Sequence, residues 1–114
     1  MSAMEFDEYQ KLATRTATFT GKQAEYALMY VCLGLAGESG ELIEKIKKGI
    51  RNDDGVFSDE ARRLITLEIG DVLWYLSQIA RLLDIPFDGA AIANIKKLED
   101  RAARGVLSSQ GDTR

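Results

Sequence analysis

Four carboxylates form two matched pairs in this chain: Glu38 with Glu41, and Glu68 with Asp71. Each pair is spaced i, i+3, which places both side chains on one side of a helix. Like charges at that spacing repel, so the alignment needs a reason. Oxygen ligands without nitrogen or sulfur suit a hard cation, Mg²⁺, with Mn²⁺ as a substitute. The chain contains no histidine. That removes the commonest general base, the usual zinc ligand and the Glu-x-x-His pair of di-iron bundles. Any acid–base chemistry here therefore leans on carboxylates and on a metal that makes water more acidic.

The elements that must position these residues are helices. Apolar residues recur at helical spacing almost throughout, and no stretch reads as a strand. The spacing predicts a first helix over about 5–19, with Phe6, Tyr9, Leu12, Ala13, Thr16 and Phe19 on one side. "TGKQ" at 20–23 breaks it. A second helix is expected over about 26–50, followed by a turn in "RNDDG" at 51–55. Ser58 offers an N-cap, with Asp59 and Glu60 well placed in the first turn of a third helix that runs to about 84. Pro86 suits the start of a fourth, which runs to about 104. The expected fold is all-α, a four-helix bundle in one domain over 1–107, with a flexible tail over 108–114.

At about 100° per residue, Glu38 falls on the border of the apolar arc made by Val31, Leu35 and Leu42. Glu41 lies about 60° further out, and Glu44 points away. On the third helix Glu68 falls inside the arc, between Leu64 and Val72, and Asp71 sits at its edge beside Tyr75. A carboxylate on an apolar face is costly unless a partner or metal compensates. By helical angle and rise, no lysine or arginine reaches these borders, since Lys45 is a full turn beyond Glu41. Gly34, Gly37 and Gly40 cost roughly 1 kcal/mol each against alanine in a helix. Their expected use is close approach of a neighbouring helix or ligand. Glu44, Glu60 and Glu99 are assigned to solvent.

Composition narrows the function classes. The 114 residues suffice for one domain, and 46% hydrophobic content favours folding over disorder. A net charge of −3 argues against a nucleic-acid-coating surface. The single Cys32 forms no internal disulfide, and the first residues contain no apolar signal region, so a cytoplasmic setting is expected. No apolar run approaches the ~20 residues of a membrane span. Met29 and Leu33 on the second helix, with Leu73 and Trp74 on the third, leave apolar surface beyond the core and suggest an interface. Trp74 and Tyr75 are assigned to packing rather than to base stacking.

"GLAGESGELIEK" (34–45) followed by "EIGDVLWYLSQIARLLD" (68–84) resembles the MazG-type all-α nucleoside triphosphate pyrophosphohydrolases. Their pattern is E-x-x-E on one helix and E-x-x-D on the next, here Glu38, Glu41, Glu68 and Asp71. "NIKKLEDR" resembles the family's N-x-x-K-L-x-x-R stretch at Asn94, Lys97, Leu98 and Arg101. The likeness covers roughly residues 26–105; the first helix matches only as a helix, and the tail matches nothing. The resemblance implies hydrolysis of a nucleoside triphosphate between the α and β phosphates, in nucleotide-pool housecleaning or regulation. It implies Mg²⁺ held by Glu38, Glu41, Glu68 and Asp71, with Glu38 or Glu41 also orienting or deprotonating the attacking water. Asn94, Lys97 and Arg101 would grip the triphosphate, although lysine and arginine also suit an ordinary helix end. A homodimer or dimer of dimers, with sites near subunit borders, is likewise implied. The alternative is a non-catalytic helical interaction module or a metal-stabilised bundle. Glu68 speaks against the first, and the basic group speaks against both.

Overall fold

The structure, a computed structural model, describes residues 3–105. Five helices follow one another: α1 (Phe6–Thr14), α2 (Gly21–Glu25), α3 (Ala27–Asn52), α4 (Asp59–Leu82) and α5 (Phe87–Ala103). No strand occurs among the described residues. The all-α architecture of four principal helices is thus as the apolar spacing predicts, with one short helix added. The expected tail over 108–114 lies outside the described residues. None of the described helices is long and apolar enough to cross a membrane.

α3 and α4 form an antiparallel hairpin. Asp54 and Gly55 take left-handed φ values of 54° and 76° in the turn, conformations that Asp and Gly tolerate best. Gly55 N donates back to Gly49 O at 3.1 Å, closing the end of α3. Ser58 then caps α4 as expected, its Oγ accepting from Ala61 N at 3.1 Å. Down the hairpin, Gly49 lies against Phe57 and Gly34 against Tyr75, so residue numbers rise on one helix as they fall on the other.

α1 departs from the expected length. It ends at Thr14 rather than near 19. The Ala13 carbonyl accepts from Thr16 N at 3.0 Å, from Thr16 Oγ1 at 2.8 Å and from Trp74 Nε1 at 3.2 Å. Threonine hydroxyls compete for helical carbonyls, and the indole from α4 takes a share, so the helix unwinds there. Trp74 Nε1 also donates to Thr16 Oγ1 at 2.8 Å. Phe19 still packs, edge-on against Tyr30 and Trp74, from the irregular segment that follows.

α1 is fastened to α4 by a buried polar knot. Gln78, fully buried, donates through Nε2 to Thr14 Oγ1 at 3.2 Å, and Arg81 Nε donates to its Oε1 at 2.6 Å. Gln10 Nε2 donates to the Ser77 carbonyl at 3.0 Å. α1 and α5 meet at their N-termini, where Asp88 N donates to Asp7 Oδ1 and Asp7 N to Asp88 Oδ1. Each carboxylate therefore caps the other helix, and Phe6 packs edge-on against Phe87 beside them. Among the described helices, α3 packs on α4 and α2 and makes no contact with α5. Its outward side is left bare: Met29 is 63% exposed and Leu33 66%. The expected exposure of Leu73 and Trp74 does not hold, because both are half-buried and Trp74 is tied to α1.

Candidate metal-binding active site

The antiparallel register of α3 and α4 brings acids from both helices to one place. Glu38, Glu68 and Asp71 each offer a carboxylate oxygen within 4.8 Å of the others. Glu38 and Asp71, with Trp74 and Tyr75, line an open cleft of about 320 Å³. Glu38 and Glu68 are half-buried, while Asp71 faces solvent. Partial burial holds the Glu38 carboxyl above the ordinary carboxylate value, and the nearby charges of Asp71 and Glu68 push it the same way. Two aromatic hydroxyls border these acids. Tyr75 is raised by burial and then by Glu38, and Tyr9 of α1 by burial and then by Asp71. Both hydroxyls therefore stay protonated and available as donors.

Glu41 stands apart. It is exposed and lies outside the converging set, although its charge still bears on Glu38 and Lys45. Three of the four predicted carboxylates thus meet, and the fourth flanks them one turn away.

The expectation that no cation reaches the acids is overturned. Lys45 Nζ lies 3.0 Å from Glu68 Oε1. Its ammonium pKa is raised first by that hydrogen bond. Distance along α3 alone does not decide which side chains meet. In an antiparallel hairpin Glu68 is nearer the turn than Asp71, as Lys45 is nearer the turn than Glu38. A four-carbon stem spans what remains. The register of the two E/D pairs relative to the "RNDDG" turn carried this signal in the sequence.

The glycines divide. A Cβ on Gly34 would run into the Tyr75 ring, so this glycine does permit close approach. Around Gly37 and Gly40 a Cβ would meet no other atom within 4 Å among the described residues. The expected close neighbour is absent at those two positions.

Residues 28–106 match the MazG nucleotide pyrophosphohydrolase domain. The chain belongs to the MazG family. It is also 40% identical to the "Gene 37 protein" of Mycobacterium phage L5, over 97% of this chain and 100% of that protein. No solved structure matches it. The matched span includes all but the first residue of α3 and the whole of α4 and α5, and so every residue of the predicted MazG site.

The basic group sits elsewhere. Asn94 and Lys97 are exposed on α5, while Arg101 is only 4% exposed. The helical period sets Lys97 and Arg101 on one side of α5, yet their burial differs sharply. α5 packs on α1 and α4 and not on α3, so one copy of the chain does not bring this group against Glu38. The acids assigned to solvent are placed there or in surface pairs. Glu60 and Glu99 are exposed; Glu60 pairs with Arg63 at 2.8 Å, and half-buried Glu44 pairs with Lys47 at 3.7 Å.

Proposed function

We propose that this MazG domain hydrolyses a nucleoside triphosphate between its α and β phosphates in a Mg²⁺-dependent reaction, releasing monophosphate and pyrophosphate. One observation carries the reading: carboxylates from two helices of the domain converge within 4.8 Å at an open cleft. The residues present fit a hard divalent cation. Glu68 Oε2 is buried without a hydrogen-bond partner, and Glu38 is pushed toward its protonated form by burial and by its neighbours. The cluster is therefore short of positive charge. Glu38, Glu68 and Asp71 would hold the ion, with Glu41 alongside. A bound divalent cation offsets phosphate charge and makes water more acidic.

The other tasks belong to the chain. Glu41 or Glu38 orients the attacking water and accepts its proton. The water oxygen bonds to phosphorus, the bridging P–O bond between the α and β phosphates breaks, and pyrophosphate leaves with the electron pair. Asn94, Lys97 and Arg101 hold the triphosphate, as charge-assisted contacts to phosphate oxygens. Because α5 does not touch α3, these residues serve the carboxylates of a second copy. A homodimer or dimer of dimers follows. Met29, Leu33, Ala36, Gly40, Ile43 and Ile50 support it, recurring at coiled-coil spacing on the exposed side of α3, interrupted by Lys47. The role in the cytoplasm is housecleaning or regulation of the nucleotide pool.

The test is pyrophosphate release from a panel of standard, deoxy and modified nucleoside triphosphates, with Mg²⁺ and with EDTA. Release with Mg²⁺, none with EDTA and none from Glu68→Gln is the expected result. Absence of turnover across the panel with Mg²⁺ present would return the chain to a non-catalytic helical module.

A further inference from the structure

The carboxylate cluster carries a cation of its own. Lys45 Nζ sits 3.0 Å from Glu68 Oε1, and Glu68 is its only ion-pair partner among the described residues. The Glu68 side chain is 15% exposed and that of Lys45 31%, so the acid is held in the seam while the lysine enters from solvent. Beyond the pair, Lys45 borders a shallow cavity of about 190 Å³ between α3 and α4, together with Lys48, Gly49 and Leu64. Its stem therefore has room to swing aside without disturbing packed residues.

Two cations have a claim on Glu68. The same residue supplies an oxygen to the three-acid cluster and an oxygen to the ammonium. Three ionised carboxylates and one ammonium leave two negative charges uncompensated. A divalent ion entering the cluster meets the Lys45 charge across a single carboxylate. Like charges that close repel, and the ion competes for the Glu68 electrons that Lys45 already engages.

Resting on the metal-site reading above, we propose that Lys45 is a built-in counter-ion that holds Glu68 in the metal-free protein and gives it up when a divalent cation binds. It keeps the seam between α3 and α4 closed over an acid that would otherwise be unpaired. The cost falls on metal affinity, which the lysine lowers. The cation then binds best together with a nucleotide, whose phosphate oxygens fill the coordination positions that the three acids leave open. Lys45 is thus a positioning residue for Glu68, not a catalytic one.

The experiment measures Mn²⁺ binding without nucleotide, by electron paramagnetic resonance at one pH, on the full chain and on Lys45→Gln and Lys45→Arg. Exchange predicts that Lys45→Gln binds Mn²⁺ about two- to ten-fold more tightly, because a competing and repelling charge is gone. Lys45→Arg keeps the charge and should bind as the wild type does. Thermal melts supply a second readout. Lys45→Gln should melt lower than wild type in EDTA and gain more from Mn²⁺. Unchanged or weaker Mn²⁺ binding by Lys45→Gln, with normal binding by wild type, overturns this inference alone: the lysine would then steady Glu68 for the metal rather than compete with it. A wild type that binds no Mn²⁺ overturns the metal-site reading, and this inference with it.

Discussion

At the scale of single residues, Glu38 links the cluster to pH. Its folded-state pKa is raised by partial burial and by the charges of Asp71 and Glu68. The folded, metal-free chain therefore holds a proton there more tightly than the unfolded chain does. The sign follows: this stabilising contribution is complete below the ordinary value of 4.5 and is lost as pH rises through the folded value. A metal must displace the same proton, so its affinity moves the opposite way. Mn²⁺ binding should strengthen as pH rises through the folded value of Glu38 and then level off. In Glu38→Gln both the slope and most of the affinity should disappear. Titrations at several pH values check this, and a pH-independent affinity in the wild type would take Glu38 out of the ligand set.

At the scale of elements, the glycines of α3 report which sides of the helix are already occupied. Gly34 is covered by the Tyr75 ring. An added methyl there forces Tyr75 out of place, an overpacking cost of about 1–3 kcal/mol that exceeds the ~1 kcal/mol gained in helix propensity. Gly34→Ala should therefore lower the melting temperature and disturb the cleft that Tyr75 lines. A Cβ added at Gly40 would meet nothing within 4 Å among the described residues. In an isolated chain Gly40→Ala should stabilise α3 by about 0.5–1 kcal/mol. If α3 of a second copy packs there, the same substitution should instead weaken assembly. Melting temperature measured at low and high protein concentration separates the two. A gain at both concentrations would remove Gly40 from any interface.

At the scale of the whole molecule, the core of one chain is thin. Ala13, Val31, Ala80 and Phe87 are the buried hydrophobic residues among those described. Large apolar side chains stay open along α3, among them Met29, Leu33, Ile43 and Ile50. A seam of that kind is what a second copy would cover, and its closure would give α5 of one chain access to the carboxylates of the other. Leu33→Asp places a charge in the seam without touching a site residue. Light scattering should find wild type as a dimer or tetramer and Leu33→Asp as a monomer, with pyrophosphate release lost alongside. A wild-type monomer at micromolar concentration would remove both the seam and the shared site.

Much of this architecture was legible in the chain because it is local. Helical period placed α3, α4 and α5 to within a few residues, and Ser58 declared itself as a cap by type and position. The i, i+3 acid pairs and the MazG pattern are local as well. Other features waited on contacts between elements. α1 stops at Thr14 because Trp74, far along the chain, takes part of the Ala13 carbonyl. Glu41 stays outside the cluster and Lys45 reaches Glu68 because the register and crossing of two helices decide which side chains meet. Arg101 is buried and Lys97 exposed, though spacing alone treats them alike. Residue type and short-range spacing state which side chains share a side of one helix. Where two such sides face each other depends on packing summed over the whole fold, and only the tertiary structure contains that sum.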